Sequence, residues 1–165
     1  MRVKGKKFDF TVVTKRLPTG LKIEMDLVEH PGAVLVIPFL SQERVVFLRQ
    51  YRAAVGRYLW ELPAGTLERK ESIRQCAKRE LMEETHFETG RLTLMGKIHP
   101  VPGYSTEVIH IFKAEELKKG KGGIGDADEV IRVQIFTRTH VRKIFRAGHI
   151  TDAKTICALA LCGWI

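Results

Sequence analysis

Residues 65–87 constrain this chain more than any other stretch: Gly65-Thr-Leu-Glu-Arg-Lys-Glu71-Ser-Ile-Arg-Gln-Cys-Ala-Lys-Arg79-Glu80-Leu81-Met-Glu83-Glu84-Thr-His86-Phe87. Its spacing predicts a helix over residues 72–85, with an apolar stripe through Ile73 and Ala77, flanked by Cys76 and Leu81. Glu80 and Glu84 lie four residues apart on that same stripe. A helix does not bury two unpaired carboxylates beside its core face without large cost. The pattern therefore asks for a cation, and clustered hard oxygen donors suit Mg²⁺ or Mn²⁺. A solvated helix with i, i+4 charges explains Glu68, Arg69, Lys70 and Lys78. It does not explain Glu80 and Glu84.

The same run resembles the Nudix box: Gly, five residues, Glu, seven residues, then Arg-Glu-apolar-any-Glu-Glu-any-Gly-apolar. Gly65, Glu71, Arg79, Glu80, Leu81, Glu83, Glu84 and Phe87 match in register. His86 stands where that pattern has Gly, which ends the helix in a left-handed conformation. Among non-glycine residues, His tolerates positive φ comparatively well.

Further segments resemble the ADP-ribose and nucleoside-diphosphate-sugar pyrophosphatase branch of that family. They are the lead-in Trp60-Glu61-Leu62-Pro63-Ala64-Gly65, Gln50-Tyr51-Arg52, and Pro102, sixteen residues past His86 in the loop Val101-Pro102-Gly103-Tyr104-Ser105-Thr106-Glu107. Pro63 fixes the chain and Gly65 permits close backbone approach. Arg52 suits a phosphate contact because its planar fork pairs with phosphate oxygens; the plainer alternative is a surface Arg at a strand end. Asp126-Ala-Asp128-Glu129 ends a Gly-rich loop where this branch carries an acid, and Glu129 aligns best, with Asp126 and Asp128 behind it. Residues 150–155 resemble the start of the branch's C-terminal helix, capped by Asp152 or Thr151, and read as structural.

The chain has 165 residues, enough for one substantial core. No apolar run reaches membrane-spanning length, and the basic N-terminus lacks the apolar region of a secretory signal. Cys76, Cys157 and Cys162 have no metal-ligand spacing and read as reduced, mostly buried thiols of a cytoplasmic protein. The six histidines show no ligand spacing either. The net charge of +9 is scattered, without an aromatic-interleaved stripe, and fits an anionic substrate and a solvated basic surface better than specific nucleic-acid binding. Alternation predicts strands at 8–17, 21–28, 32–40, 44–50, 58–62, 91–98, 107–114 and 130–136, and helices at 139–146 and 152–161. Residues 118–128, Gly- and Lys-rich, read as a mobile loop. The fold expected is α+β. It resembles the Nudix fold, a mixed sheet sandwiched between helices, with an N-terminal β-hairpin. Residues 1–30 form the hairpin region and 31–165 the Nudix domain.

The resemblance implies a Mg²⁺- or Mn²⁺-dependent hydrolase of ADP-ribose or a related nucleoside diphosphate sugar. Its implied metal ligands are Glu80, Glu84, Glu83 and the Ala64 carbonyl. Glu129 is the implied base or an additional ligand, and Arg79 with Glu71 orients the carboxylates. Arg52, Glu61 and Glu107 are the candidate substrate contacts. The resemblance also implies a homodimer in which the hairpin reaches the partner's site. The alternatives are a dinucleoside polyphosphate or RNA-cap substrate, and a non-enzymatic ADP-ribose-sensing module.

Overall fold

The central strand explains the layering. Residues Ala-Val-Leu-Val-Ile-Pro-Phe-Leu-Ser form β4 (Ala33–Ser41), a nearly continuous apolar run of the kind a sheet buried on both faces requires. Leu35 and Ile37 point to one side, Val34 and Val36 to the other, and all four have 0% exposure. The computed structural model describes residues 2–5, 8–120 and 131–165. Within them β5 (Arg44–Arg52), β8 (Phe87–Ile98), β9 (Ile109–Lys119) and β10 (Ile131–Thr137) join β4 in the order β10-β5-β4-β9-β8. Two short strands hang from this path: β6 (Arg57–Glu61) on β5 and β7 (Ala64–Thr66) on β4. β4 and β9 are parallel while the other pairings are antiparallel, so the sheet is mixed, as expected.

Helix α1 (Ile73–Thr85) covers one face, where Cys76, Ala77 and Leu81 meet Val34, Val36, Phe112 and Ala114. Helices α2 (Arg138–Arg146) and α3 (Ala153–Leu161) cover the other, where Val141, Ala158, Leu159 and Trp164 meet Leu35, Ile37, Phe47 and Ile111. Each large apolar side chain so buried contributes about 1.5–3 kcal/mol. The N-terminal hairpin is present as β2 (Asp9–Arg16) and β3 (Lys22–Glu29), extended by β1 (Arg2–Lys4) into a separate three-stranded sheet. It is tied to the main body where Val28 bridges Ser105 and the His30 amide donates to Thr106 Oγ1 at 2.9 Å.

Several expectations are corrected. Strand β7 has only three residues and no alternation to betray it. β8 starts at Phe87, not 91, because its pairing with β9 carries the ladder through Thr89. The same pairing holds Lys118 and Lys119 in strand rather than loop. Residues 121–128 of the expected loop lie outside the described residues. Cys76 is buried, Cys162 half-buried and Cys157 exposed, so one thiol departs from the expected burial: its helix face looks to solvent.

α1 begins at Ser72, whose hydroxyl accepts from the Gln75 amide while Gln75 reaches back to the Ser72 amide. It ends at His86, in the left-handed region at φ 59° and ψ 26°, with the His86 amide donating to Met82 O at 2.8 Å. A non-glycine residue there carries a strain of about 1 kcal/mol, which Gly relieves while adding unfolded-state freedom of similar size. His86→Gly should therefore keep the melting temperature within about 3 °C of wild type or raise it. A larger fall in a thermal melt would reveal a stabilising contact of the imidazole.

Candidate active site

The start of β7, Ala64-Gly65, and the inner face of α1 build one wall of the site. β7 pairs with β4, Gly65 opposite Val34, and so presses the backbone against the helix. The Ala64 amide donates to Glu84 Oε2 at 2.9 Å. A Cβ at Gly65 would fall 1.9 Å from the Glu80 carboxylate, so only glycine admits this approach. Glu80 and Glu84, at 9% and 7% exposure, sit where the helical spacing placed them.

Arg79 organises the carboxylates. Its Nε and Nη2 donate to the two oxygens of Glu71 at 2.9 and 3.0 Å. Nη1 donates to Glu80 Oε1 at 2.6 Å and Glu83 Oε2 at 3.0 Å, and Nη2 also to the Thr66 carbonyl at 3.2 Å. The Glu71 hydrogen bonds, aided by Glu80 and Glu83, raise the Arg79 pKa above its ordinary value against burial. Cys76 lies beneath, its thiol pushed up to about 12 chiefly by burial and then by Glu71, which leaves it protonated and inert.

Glu71, Glu80, Glu83 and Glu84 against one guanidinium give these five side chains a formal surplus of three negative charges. Glu80, Glu83, Glu84 and the Ala64–Gly65 backbone border one cavity of about 690 Å³. Hard oxygen donors in negative surplus, with a glycine clearing the approach, fit a divalent cation of the Mg²⁺ type. Among the described residues no three His, Cys, Asp or Glu side chains form a finished ion cage; Glu80 and Glu83 lean onto Arg79.

Another wall carries cations paired with acids. Arg52, Asp152 and Lys154 line the cavity. Glu61 lies beneath them, 1% exposed, holding Arg52 through Nε at 2.8 Å and Nη2 at 2.7 Å. Burial would raise the Glu61 pKa, but the Arg52 hydrogen bonds and Lys154 outweigh it and hold it below the ordinary value. A third wall joins Phe8, His30, Pro31, Pro100 and Glu107. His30 stacks on Phe8 with centroids 4.7 Å apart. Its Nδ1 accepts from the Gly32 amide at 3.0 Å, which puts the neutral ring's proton on Nε2, 3.7 Å from Glu107 Oε1. Burial lowers the His30 pKa, partly opposed by Glu107.

The structure thus gathers Ala64, Arg79, Glu80, Glu83, Glu84, Arg52 and Glu107 around one cavity, with Glu61 under its floor. Pro102 is exposed and absent from the lining; Pro100 and Glu107 carry its loop to the cavity. Glu129, Asp126 and Asp128 lie outside the described residues. Lys154, His30 and Phe8 are lining residues that the sequence reading did not find. Lys154 belongs to the segment 150–155, whose resemblance points to structure, and the other two have no motif around them.

The NUDIX domain model matches residues 29–159. The chain belongs to the Nudix family. An ADP-ribose pyrophosphatase of Bacillus subtilis (strain 168) is 34% identical over 157 residues, spanning 94% of this chain and 84% of the relative. A methanol dehydrogenase activator of Bacillus methanolicus is 33% identical over 156 residues, with the same 94% and 84% coverage. A crystal structure of an ADP compounds hydrolase superposes with a TM-score of 0.83 at 22% identity, covering 97% of this chain and 86% of that one, which establishes the Nudix fold. His86 is therefore a departure from the Nudix box inside a Nudix chain, and the left-handed backbone that the box glycine serves is kept.

The Glu71–Arg79 pair gives this Nudix site a pH signature. Held by the Arg79 hydrogen bonds against burial, the Glu71 carboxyl sits at about 2 rather than 4.5. It stays charged in the folded chain where an unfolded glutamate is already protonated. Its stabilisation is complete above pH 4.5 and is lost as pH falls toward about 2. In urea titrations of metal-free protein, the stability gap between wild type and Glu71→Gln should shrink across that window. A gap independent of pH would contradict the pairing.

Proposed function

We propose that this Nudix pyrophosphohydrolase cleaves the diphosphate of ADP-ribose, giving AMP and ribose 5-phosphate, with Mg²⁺ or Mn²⁺ as cofactor. The observation carrying this reading is a cavity with buried carboxylates against an open backbone on one wall and, on another, the donors Arg52 and Lys154 held by Glu61 and Asp152. The first wall suits a hard cation and the second a diphosphate. The similarity to an ADP-ribose pyrophosphatase over most of both chains supports the substrate class. Another nucleoside diphosphate sugar, such as GDP-mannose, is the nearest alternative within it.

In this reading Glu80, Glu84, Glu83 and the Ala64 carbonyl hold the metal. The bound ion supplies charge neutralisation at the phosphate oxygens and lowers the pKa of water. Arg79 and Glu71 fix the directions of the carboxylates. Arg52 faces the phosphate side, held by Glu61, and Glu107 receives a polar group of the substrate. Glu129 is the proposed base. The three-stranded sheet of the hairpin region, residues 1–30, is the proposed dimer contact; Val3 and Phe10 are exposed on it. The cytoplasm is the proposed compartment, and it suits three free cysteines.

A second reading has its own observation, the relative named as an activator. On that reading the chain binds its nucleotide as a sensor without turning it over.

One assay set separates these readings. ADP-ribose, GDP-mannose, UDP-glucose, a dinucleoside polyphosphate, capped RNA and ATP are compared by kcat/KM with Mg²⁺. The expected order puts a nucleoside diphosphate sugar first, with no turnover in EDTA and recovery on adding Mg²⁺ or Mn²⁺. A triphosphate or capped RNA as best substrate overturns the branch, and binding without turnover favours the sensor.

Gly65→Ala and Glu84→Gln test the metal wall. A Cβ at Gly65 collides with the far end of a flexible side chain, so Glu80 swings aside and the fold survives. Gly65→Ala should melt within several degrees of wild type yet bind Mn²⁺ at least about tenfold more weakly by titration calorimetry. Glu84→Gln should lower kcat by roughly 10²-fold or more. Unchanged Mn²⁺ affinity in both variants would remove these groups from the metal site.

A further inference from the structure

Lys154 lies in the first turn of α3. Its Nζ lies 2.5 Å from Glu61 Oε2 and 2.7 Å from Asp152 Oδ1. The other Asp152 oxygen caps α3 by accepting from the Thr155 amide at 3.0 Å. Glu61 in turn accepts two hydrogen bonds from Arg52. Four groups of alternating sign therefore run from Arg52 to the helix cap: Arg52, Glu61, Lys154, Asp152. The acid in the middle is 1% exposed, and the Lys154 and Arg52 side chains are 19% and 35% exposed.

The helix does not need Lys154 in order to dock. Thr155, 0% exposed, accepts from the Leu62 amide at 3.0 Å and pins the start of α3 to the lead-in turn. Ala158 and Leu159, both 0% exposed, anchor its remainder in the core. The chemistry of Lys154 is directed instead at the carboxylate that holds Arg52. Two carboxylates share its one ammonium, and without that charge they would repel. Arg52, the other cation of these four groups, would then be drawn inward to serve both.

We propose that Lys154 is a positioning residue of the active site. By satisfying the far side of the Glu61 carboxylate it fixes the plane on which the Arg52 guanidinium lies, and so keeps Arg52 turned toward the anionic group in the cavity. This rests on the reading above, in which Arg52 faces the phosphates of a nucleoside diphosphate. Lys154 acts through Arg52, so the two positions are energetically one unit.

A double-mutant cycle over Lys154→Met and Arg52→Ala tests this. KM and kcat are measured for ADP-ribose, the dissociation constant for ADP by calorimetry, and the melting temperature throughout. Lys154→Met should raise KM and the ADP dissociation constant about tenfold, with kcat within about threefold. The double variant should be no more than about twofold worse than Arg52→Ala alone, and Lys154→Arg should recover most of the loss. Additive effects would mean that Lys154 meets the substrate independently, and would overturn the proposal. A lowered melting temperature with unchanged ADP affinity would make Lys154 structural, and would overturn it too. Should Lys154→Met not fold, Lys154→Gln carries the same cycle. If wild type turns over no ADP-ribose, the functional reading fails while the ADP cycle still decides the role of Lys154. Absence of ADP binding to wild type would overturn both.

Discussion

Glu80 and Glu84 lie against the Ala64–Gly65 backbone at the edge of the cavity, largely shielded from water, and much of the surrounding architecture follows from keeping them there. Carboxylates at 9% and 7% exposure need donors on several sides. The Ala64 amide supplies one to Glu84, and the Arg79 guanidinium one to Glu80. Each donor has its own requirement. The amide must be brought to the helix, which sets β7 on β4 and demands glycine at 65. The guanidinium must be held flat, which Glu71 does with both its oxygens. Glu71 is itself fixed by accepting from the Glu68 amide in the loop before α1. A short loop, a three-residue strand and one helix thus form a single electrostatic unit.

The two sides of the cavity use charge in opposite ways. On the α1 side acids outnumber the one cation among them, which favours capture of a further cation. On the α3 side Arg52, Glu61, Lys154 and Asp152 balance formally, so that wall has no large net field. Its value is geometric, because hydrogen-bonded ion pairs hold long side chains in one orientation. A diphosphate bridging the two walls would meet a charge trap at one side and a rigid donor at the other. Pre-arranged polar groups of this kind cost no reorganisation when charge develops in a transition state.

How much of this was legible in the sequence depends on the range of the interaction. The start of α1 at Ser72 and its end at His86 are local properties, legible in the helical span 72–85 and in the resemblance to the Nudix box. The burial of Glu80 and Glu84 followed from helical period alone. The central strands were visible as apolar runs. β7 was not, since Ala-Gly-Thr shows no alternation and is a strand only because β4 offers it a ladder. Lys154 was invisible for a like reason: its partner Glu61 is 93 residues away, and nothing around either residue announces the pair. His30 is placed by Gly32, Phe8 and Thr106, contacts that exist only once the hairpin sheet folds against the loop before β9. Family resemblance supplies Arg52 and Glu61 as two separate contacts, and only the fold shows that one holds the other.

The two glycine positions of the box illustrate why a motif letter can be optional at one place and not at another. At 86 the requirement is conformational. The backbone must turn left-handed so that its amide can reach Met82 O, and any residue willing to accept φ near 59° can serve. His86 is exposed, so its side chain costs nothing in packing, and the strain of about 1 kcal/mol is small beside the core. At 65 the requirement is volume. The φ there is unremarkable, but the space a Cβ would take is already filled by the Glu80 carboxylate. Backbone strain is paid once and leaves the site intact, whereas displaced volume moves the very group the site is built around. The chain has given up the glycine whose loss costs a little stability and kept the one whose loss would cost geometry.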